Sequence, residues 1–140
     1  MEKVKVVGKS KGNLAFEIDL NGHKIITDAR KEVGGDDLGP GPKSLLLAGL
    51  IGCTGIDVAS ILKKMRVKYD DLTIEVETIH TDGQPRVYKD IHMVYRFKGK
   101  DLPLDNIKRA VDLSMEKYCG VSAMLSKHTP ISYEVVIEEN

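Results

Sequence analysis

The run GPKSLLLAGLIGCTGIDVASILKKM, Gly41 to Met65, constrains this chain more than any other segment. It is almost continuously apolar in a chain of which 30% of residues are charged. Pro42 suits a first helical turn, where its missing N–H costs nothing. Lys63, Lys64 and Arg66 suit the negative end of a helix macrodipole. The pattern predicts one helix from about Pro42 to about Arg66. Its apolar residues run almost all the way round, which marks burial on several sides rather than along one stripe. Gly49, Gly52 and Gly55 each lower helix propensity by about 1 kcal/mol relative to alanine. Close approach of another backbone, from a second helix or across a subunit boundary, explains that cost. A chain of 140 residues has little material to surround such a helix. The expectation is therefore a homodimer that buries it in a symmetric, obligate interface. A membrane span is the competing use. Leu45–Leu62 barely reaches spanning length and would place Asp57 deep in hydrocarbon, so no membrane role is expected.

The flanking segments read as strands and helices of a single domain over residues 1–140. KVKVV and LAFEIDL alternate polar and apolar residues about a Lys11-Gly12-Asn13 turn, and Leu14, Phe16, Ile18 and Leu20 share a face. Asn21-Gly22 is a strong hairpin signal, because both residues tolerate positive φ, and HKIITDA follows as a third strand. KEVGGDDLGPGP, residues 31–42, is loop. Its glycines fit neither a phosphate loop nor a dinucleotide fingerprint. After the long helix, Tyr69–Thr81 alternates, Asp82-Gly83-Gln84-Pro85 turns, and Val87–Lys98 returns with Ile91, Met93, Tyr95 and Phe97 on one parity. In LDNIKRAVDLSMEKY, Leu104, Ile107, Val111 and Met115 fall at helical spacing. A short helix follows from about Gly120 to Lys127, and Ile131–Glu138 ends the chain as a strand. The order βββ-α-ββ-α-(short α)-β is an α+β arrangement.

Composition excludes several functions. Lys+Arg and Asp+Glu both number 21, so the basic excess of a general nucleic-acid binder is absent and no nucleic-acid partner is expected. MEKVKVVGKSKG lacks the continuous apolar core of a signal peptide, which points to a cytoplasmic protein. The four histidines, His23, His80, His92 and His128, show no metal-binding spacing and read as structural. Cys53 and Cys119 form no CxxC pair, so neither a metal site nor a bound cofactor is expected.

Each cysteine has two readings. Cys53 is either a small buried hydrophobe or a reactive thiol. Its helical neighbours Gly49, Leu50, Ile56 and Asp57 include no cation, and Asp57 opposes a thiolate. Cys119 is either a buried junction residue or a thiol at the start of a short helix, where N–H groups lower a thiol pKa. Asp57 reads as a buried carboxylate hydrogen-bonded to structure.

At this point the chain resembles the OsmC/Ohr family. The likeness rests on the proline-led helix GPGPKSLLLAGLIGCTGIDVASILKK with its central cysteine, and on a second cysteine in KYCGVSAMLSK. It implies an intertwined homodimer, a long buried central helix in each subunit, and a thiol-dependent peroxidase acting on organic hydroperoxides or hydrogen peroxide. Cys53 would be the peroxidatic residue and Cys119 the resolving one, with a dithiol reductant, lipoyl-type in one branch, restoring the pair. In the peroxidase branches a glutamate after the proline holds an arginine from the N-terminal hairpin over the thiol. Here those places carry Lys43 and Lys9, which repel each other and lack a planar fork. Arg30 is the candidate substitute. TGIDV resembles the less characterised OsmC-like branch. The alternative is a non-catalytic dimer of this fold that binds a small apolar or acyl ligand at its interface. An arginine or lysine beside Cys53 favours catalysis, and Asp57 alone favours binding.

Overall fold

Asn21 and Gly22 both take positive φ, 54° and 84°, and close the hairpin that their side chains permit. They join strands β2 (Phe16–Leu20) and β3 (His23–Thr27), which pair antiparallel from Phe16↔Thr27 to Leu20↔His23. Strand β1 (Val7–Ser10) adds to the other edge of β2, giving the order β1-β2-β3. The strand begins at Val7 rather than at the first alternating valine. The computed structural model describes residues 1–140, and Met1–Leu47 forms one unit, Ala48–Asn140 the other.

Within the first unit, the glycine-rich loop is organised around one carboxylate. Asp28, 4% exposed, accepts N–H groups from Ala29 at 2.7 Å, Leu38 at 3.1 Å and Asp36 at 3.2 Å. The glycines let the chain close over it: a Cβ on Gly35 would stand 2.0 Å from the Ala29 carbonyl oxygen, and one on Gly39 would stand 2.1 Å from that of Ile26. The Leu38 N–H does most to hold the Asp28 carboxyl below its ordinary pKa. The folded chain thus binds this proton less readily than the unfolded chain. The stabilisation is complete above the unfolded carboxylate value of about 3.9 and is lost as pH falls through the lower folded value. Hydrogen exchange should accordingly show the Asp36 and Leu38 amides losing protection in acid. Asp28→Asn should abolish that pH-dependent step.

Helix α1 (Pro42–Lys64) ends where Arg66 takes a positive φ of 60°. In the second unit its residues Leu50, Thr54, Val58 and Leu62, one per turn, are fully buried. Length and composition alone would let α1 cross a membrane. Its buried stripe instead packs on protein and carries a hydrogen-bonded threonine, the role of a core helix in an α+β fold.

Strands β4 (Asp71–His80) and β5 (Tyr88–Gly99) form an antiparallel hairpin, and β6 (Ile131–Glu139) pairs parallel to β5, from Ile91↔Ile131 to Gly99↔Glu139. A parallel neighbour requires a crossover. It consists of α2 (Leu104–Leu113), a π-helical turn (Ser114–Tyr118) and α3 (Gly120–Leu125). The central strand β5 supplies Ile91, Met93, Tyr95 and Phe97, all essentially unexposed, and α2 supplies Ile107, Ala110 and Val111. Burial of each such large apolar side chain contributes about 1.5–3 kcal/mol. On the opposite parity of β5 Val94 is buried too, while Arg96 bonds Glu75 at 2.6 Å and His92 lies between Ser132 and Glu134.

Candidate functional site

Thr54 is the polar residue of the buried α1 stripe, and its partners define the site. Its Oγ1 lies 2.7 Å from the Tyr95 hydroxyl and 2.8 Å from Ser114 Oγ, and Ser114 Oγ donates to Asp57 Oδ2 at 3.0 Å. A hydroxyl has a single proton to give. Since Ser114 spends its proton on the carboxylate, it accepts from Thr54, which in turn accepts from Tyr95. The chain of donors runs Tyr95, Thr54, Ser114, Asp57. Burial pushes the Tyr95 phenol up to about 12, so it keeps the proton this direction requires.

Helical spacing places Ser114 inward: it follows the buried Ile107, Ala110 and Val111 by seven, four and three residues, and its N–H still bonds the Ala110 carbonyl. A π-helical turn begins there. The turn closes with the Cys119 N–H bonded to the Ser114 carbonyl at 2.7 Å, a five-residue reach that delivers Cys119 to the same place. Cys119 then leaves the helix (φ −75°, ψ 102°) and caps α3, its Sγ accepting from the Ser122 N–H at 3.3 Å.

Cys53 and Asp57 stand one turn apart on α1, and this is where the chain brings its two cysteines together. Cys53 Sγ, Cys119 Sγ and a carboxylate oxygen of Asp57 all lie within 4.8 Å of one another. Cys119 is 3% exposed, whereas Cys53 and Asp57 are half-buried and accessible. Asp57 also lines an open cavity of about 530 Å³, with Ile61, Met65, Leu113 and Tyr118 among its walls and Lys64 beside them.

The electrostatics correct one expectation. Helix-start placement was to lower the Cys119 pKa, and the Ser122 N–H does act in that direction, but burial outweighs it. With the Cys53 sulfur and the Asp57 carboxylate adding to the effect, the Cys119 thiol is pushed up to about 11. It therefore stays protonated near neutrality and has an S–H to offer its neighbour. The charged group at the thiols in this unit is Asp57, while Lys9, Arg30 and Lys43 belong to Met1–Leu47. Sequence patterning singled out the cysteines and Asp57 but missed Tyr95 and Ser114. A threonine at a buried helical position was the available clue, because a buried hydroxyl demands partners.

The description "OsmC-like protein" belongs to the family model that matches residues 34–134. Protein YhfA of Escherichia coli (strain K12) is 38% identical over 118 residues, covering 83% of this chain and 85% of YhfA. A crystal structure of a hypothetical protein from Aquifex aeolicus VF5 superposes with a TM-score of 0.82 at 31% identity, covering 99% of both chains. An organic hydroperoxide resistance protein from Elizabethkingia anophelis shares the fold at 12% identity, with a TM-score of 0.70 over 100% of this chain and 98% of its own. With the order of elements, the proline-led helix and the family match in agreement, this chain belongs to the OsmC-like protein family.

Proposed function

We propose that this protein is a thiol-dependent peroxidase that reduces hydroperoxides, with Cys53 attacking and Cys119 resolving. The observation that carries the reading is the meeting of the two sulfurs within 4.8 Å, one accessible and one buried. The Cys53 thiolate attacks the terminal peroxide oxygen; the O–O bond breaks, an alcohol leaves after taking a proton, and Cys53 becomes a sulfenic acid. The Cys119 sulfur displaces the hydroxyl of that sulfenic acid. A disulfide forms and water departs with the thiol's proton. A dithiol reductant of the lipoyl type then exchanges with the disulfide and restores both thiols. The protonated Cys119 suits this division of labour, because its S–H can donate to a Cys53 thiolate. Residues 1–140 act as one OsmC-like domain in this reading, in the cytoplasm, where thiols are kept reduced.

The reading includes a homodimer. Gly49 and Gly52 have nothing within 4 Å of where a Cβ would lie, and Ile56 is 74% exposed. This open side of α1 is where small residues would let a second subunit approach. Light scattering at micromolar concentration should return twice the 15.5 kDa chain mass for the wild type and the chain mass for Ile56→Glu. A monomeric wild type would refute the assembly.

One observation favours a second reading. Asp57 beside the thiols and the cavity next to it suit a non-catalytic dimer that holds a small apolar or acyl ligand. Steady-state consumption of cumene hydroperoxide or hydrogen peroxide, with dihydrolipoamide as donor, separates the two. The peroxidase reading expects sustained turnover; turnover no faster than the donor alone would leave ligand binding as the reading.

A further inference from the structure

We propose that reduced Cys53, Asp57 and Cys119 form a binding site for a thiophilic divalent cation of the zinc type. Three ligand atoms drawn from α1 and the α2–α3 junction converge within 4.8 Å of one another. Around tetrahedral zinc, bonds of about 2.3 Å to sulfur and 2.0–2.2 Å to oxygen put ligand atoms roughly 3.5–3.8 Å apart. Small side-chain movements reach that spacing. Two sulfurs select against magnesium and calcium, and a carboxylate completes a set that zinc accepts.

The surroundings match what a metal ligand requires. The Ser114 hydroxyl fixes the Asp57 carboxylate, and Thr54 and Tyr95 fix Ser114, so the oxygen ligand is oriented from behind by buried groups. Cys119 is held in place by the Ser122 N–H. The open cavity that Asp57 lines and the half-buried Cys53 give the cluster access from solvent. On binding, the two thiols release their protons to solvent and both thiolates coordinate the cation. A carboxylate beside two sulfurs, which hinders a bare thiolate, becomes favourable once a divalent cation sits among them. The sequence hides this site because its third ligand comes from a distant segment and no CxxC spacing announces it. The inference does not rest on peroxidase activity. It does require that a coordinated cation and a peroxide compete for the Cys53 sulfur.

The test uses the reduced, chelator-treated full-length protein titrated with Co²⁺ and then with Zn²⁺. Expected are one cobalt per chain, intense tetrahedral visible bands, a thiolate-to-cobalt band, and loss of all of them as zinc displaces cobalt. Absence of the thiolate band would overturn the proposal. Ser114→Ala is expected to weaken binding about 10–100-fold while keeping the tetrahedral spectrum. Asp57→Asn should weaken it further and alter the spectrum, and unchanged affinity and spectrum would contradict coordination by the carboxylate. Because Asp57→Asn also disturbs the hydroxyl chain, Asp57→Cys forms a second arm. It should recover binding with a stronger thiolate band, and a spectrum identical to the wild type's would count against coordination from position 57. Peroxide-driven oxidation of the metal-free protein is read separately, so either idea can fail while the other stands.

Discussion

Cys53→Ser is expected to bring peroxide consumption down to the uncatalysed rate, a loss on the order of a thousandfold or more, as when other enzymes lose a covalent nucleophile. Serine keeps the size of the side chain, but its hydroxyl does not ionise near neutrality and forms no sulfenic acid. Cys119→Ser should behave differently. It leaves Cys53 able to attack once, so a single equivalent of peroxide disappears, after which the stranded sulfenic acid proceeds to sulfinic acid. The contrast is the useful result, since a general loss of fold would silence both variants alike. Stopped-flow peroxide decay with mass analysis of Cys53 measures it. Equal turnover by wild type and Cys53→Ser would remove the peroxidase reading.

The largest effect on stability should come from Phe97→Ala. Phe97 is unexposed near the C-terminal end of β5, the strand between β4 and β6, and its ring packs edge-to-face with Tyr69, centroids 5.5 Å apart. Removing it deletes a large apolar contact and leaves a cavity that paired strands cannot easily collapse. The expected cost is about 3–5 kcal/mol. At about 4 °C per kcal/mol for a chain of this size, the midpoint falls by roughly 10–20 °C. Wild type and variant must be compared at equal protein concentration, because dimerisation would couple stability to it. Thermal denaturation followed by far-UV circular dichroism gives the number, and a midpoint within a few degrees of wild type would contradict the placement of Phe97 in the core.

Much of this architecture could be read from local pattern. The alternation of Ile91, Met93, Tyr95 and Phe97 marked the buried face of β5, and Asn21-Gly22 marked the turn between β2 and β3. What pattern could not supply was position in three dimensions. The parallel pairing of β6 with β5 depends on a crossover, which no local signal encodes. The Asp28 hub was invisible because its bonds go to backbone N–H groups eight and ten residues away, whose identity the side chains do not report. The site was half legible. Cys53 and Cys119 stood out as residue types, and Asp57 as a charge in an apolar run. Ser114 continues the buried face of α2 at helical spacing, but a serine there does not report in sequence which distant hydroxyl and carboxylate it will meet. The Cys119 pKa was misjudged for a related reason: helix-start placement is local, whereas the burial that outweighs it comes from the whole unit.

The central claim is that two sulfurs far apart in sequence work as a redox couple. Its most direct test is to add one equivalent of peroxide to the reduced, metal-free protein, block remaining thiols, and map the cysteines by peptide mass. The account predicts a single intramolecular Cys53–Cys119 disulfide, reversible by dihydrolipoamide. Both cysteines recovered as blocked free thiols, or Cys53 recovered as sulfinic acid beside an unreacted Cys119, would contradict it.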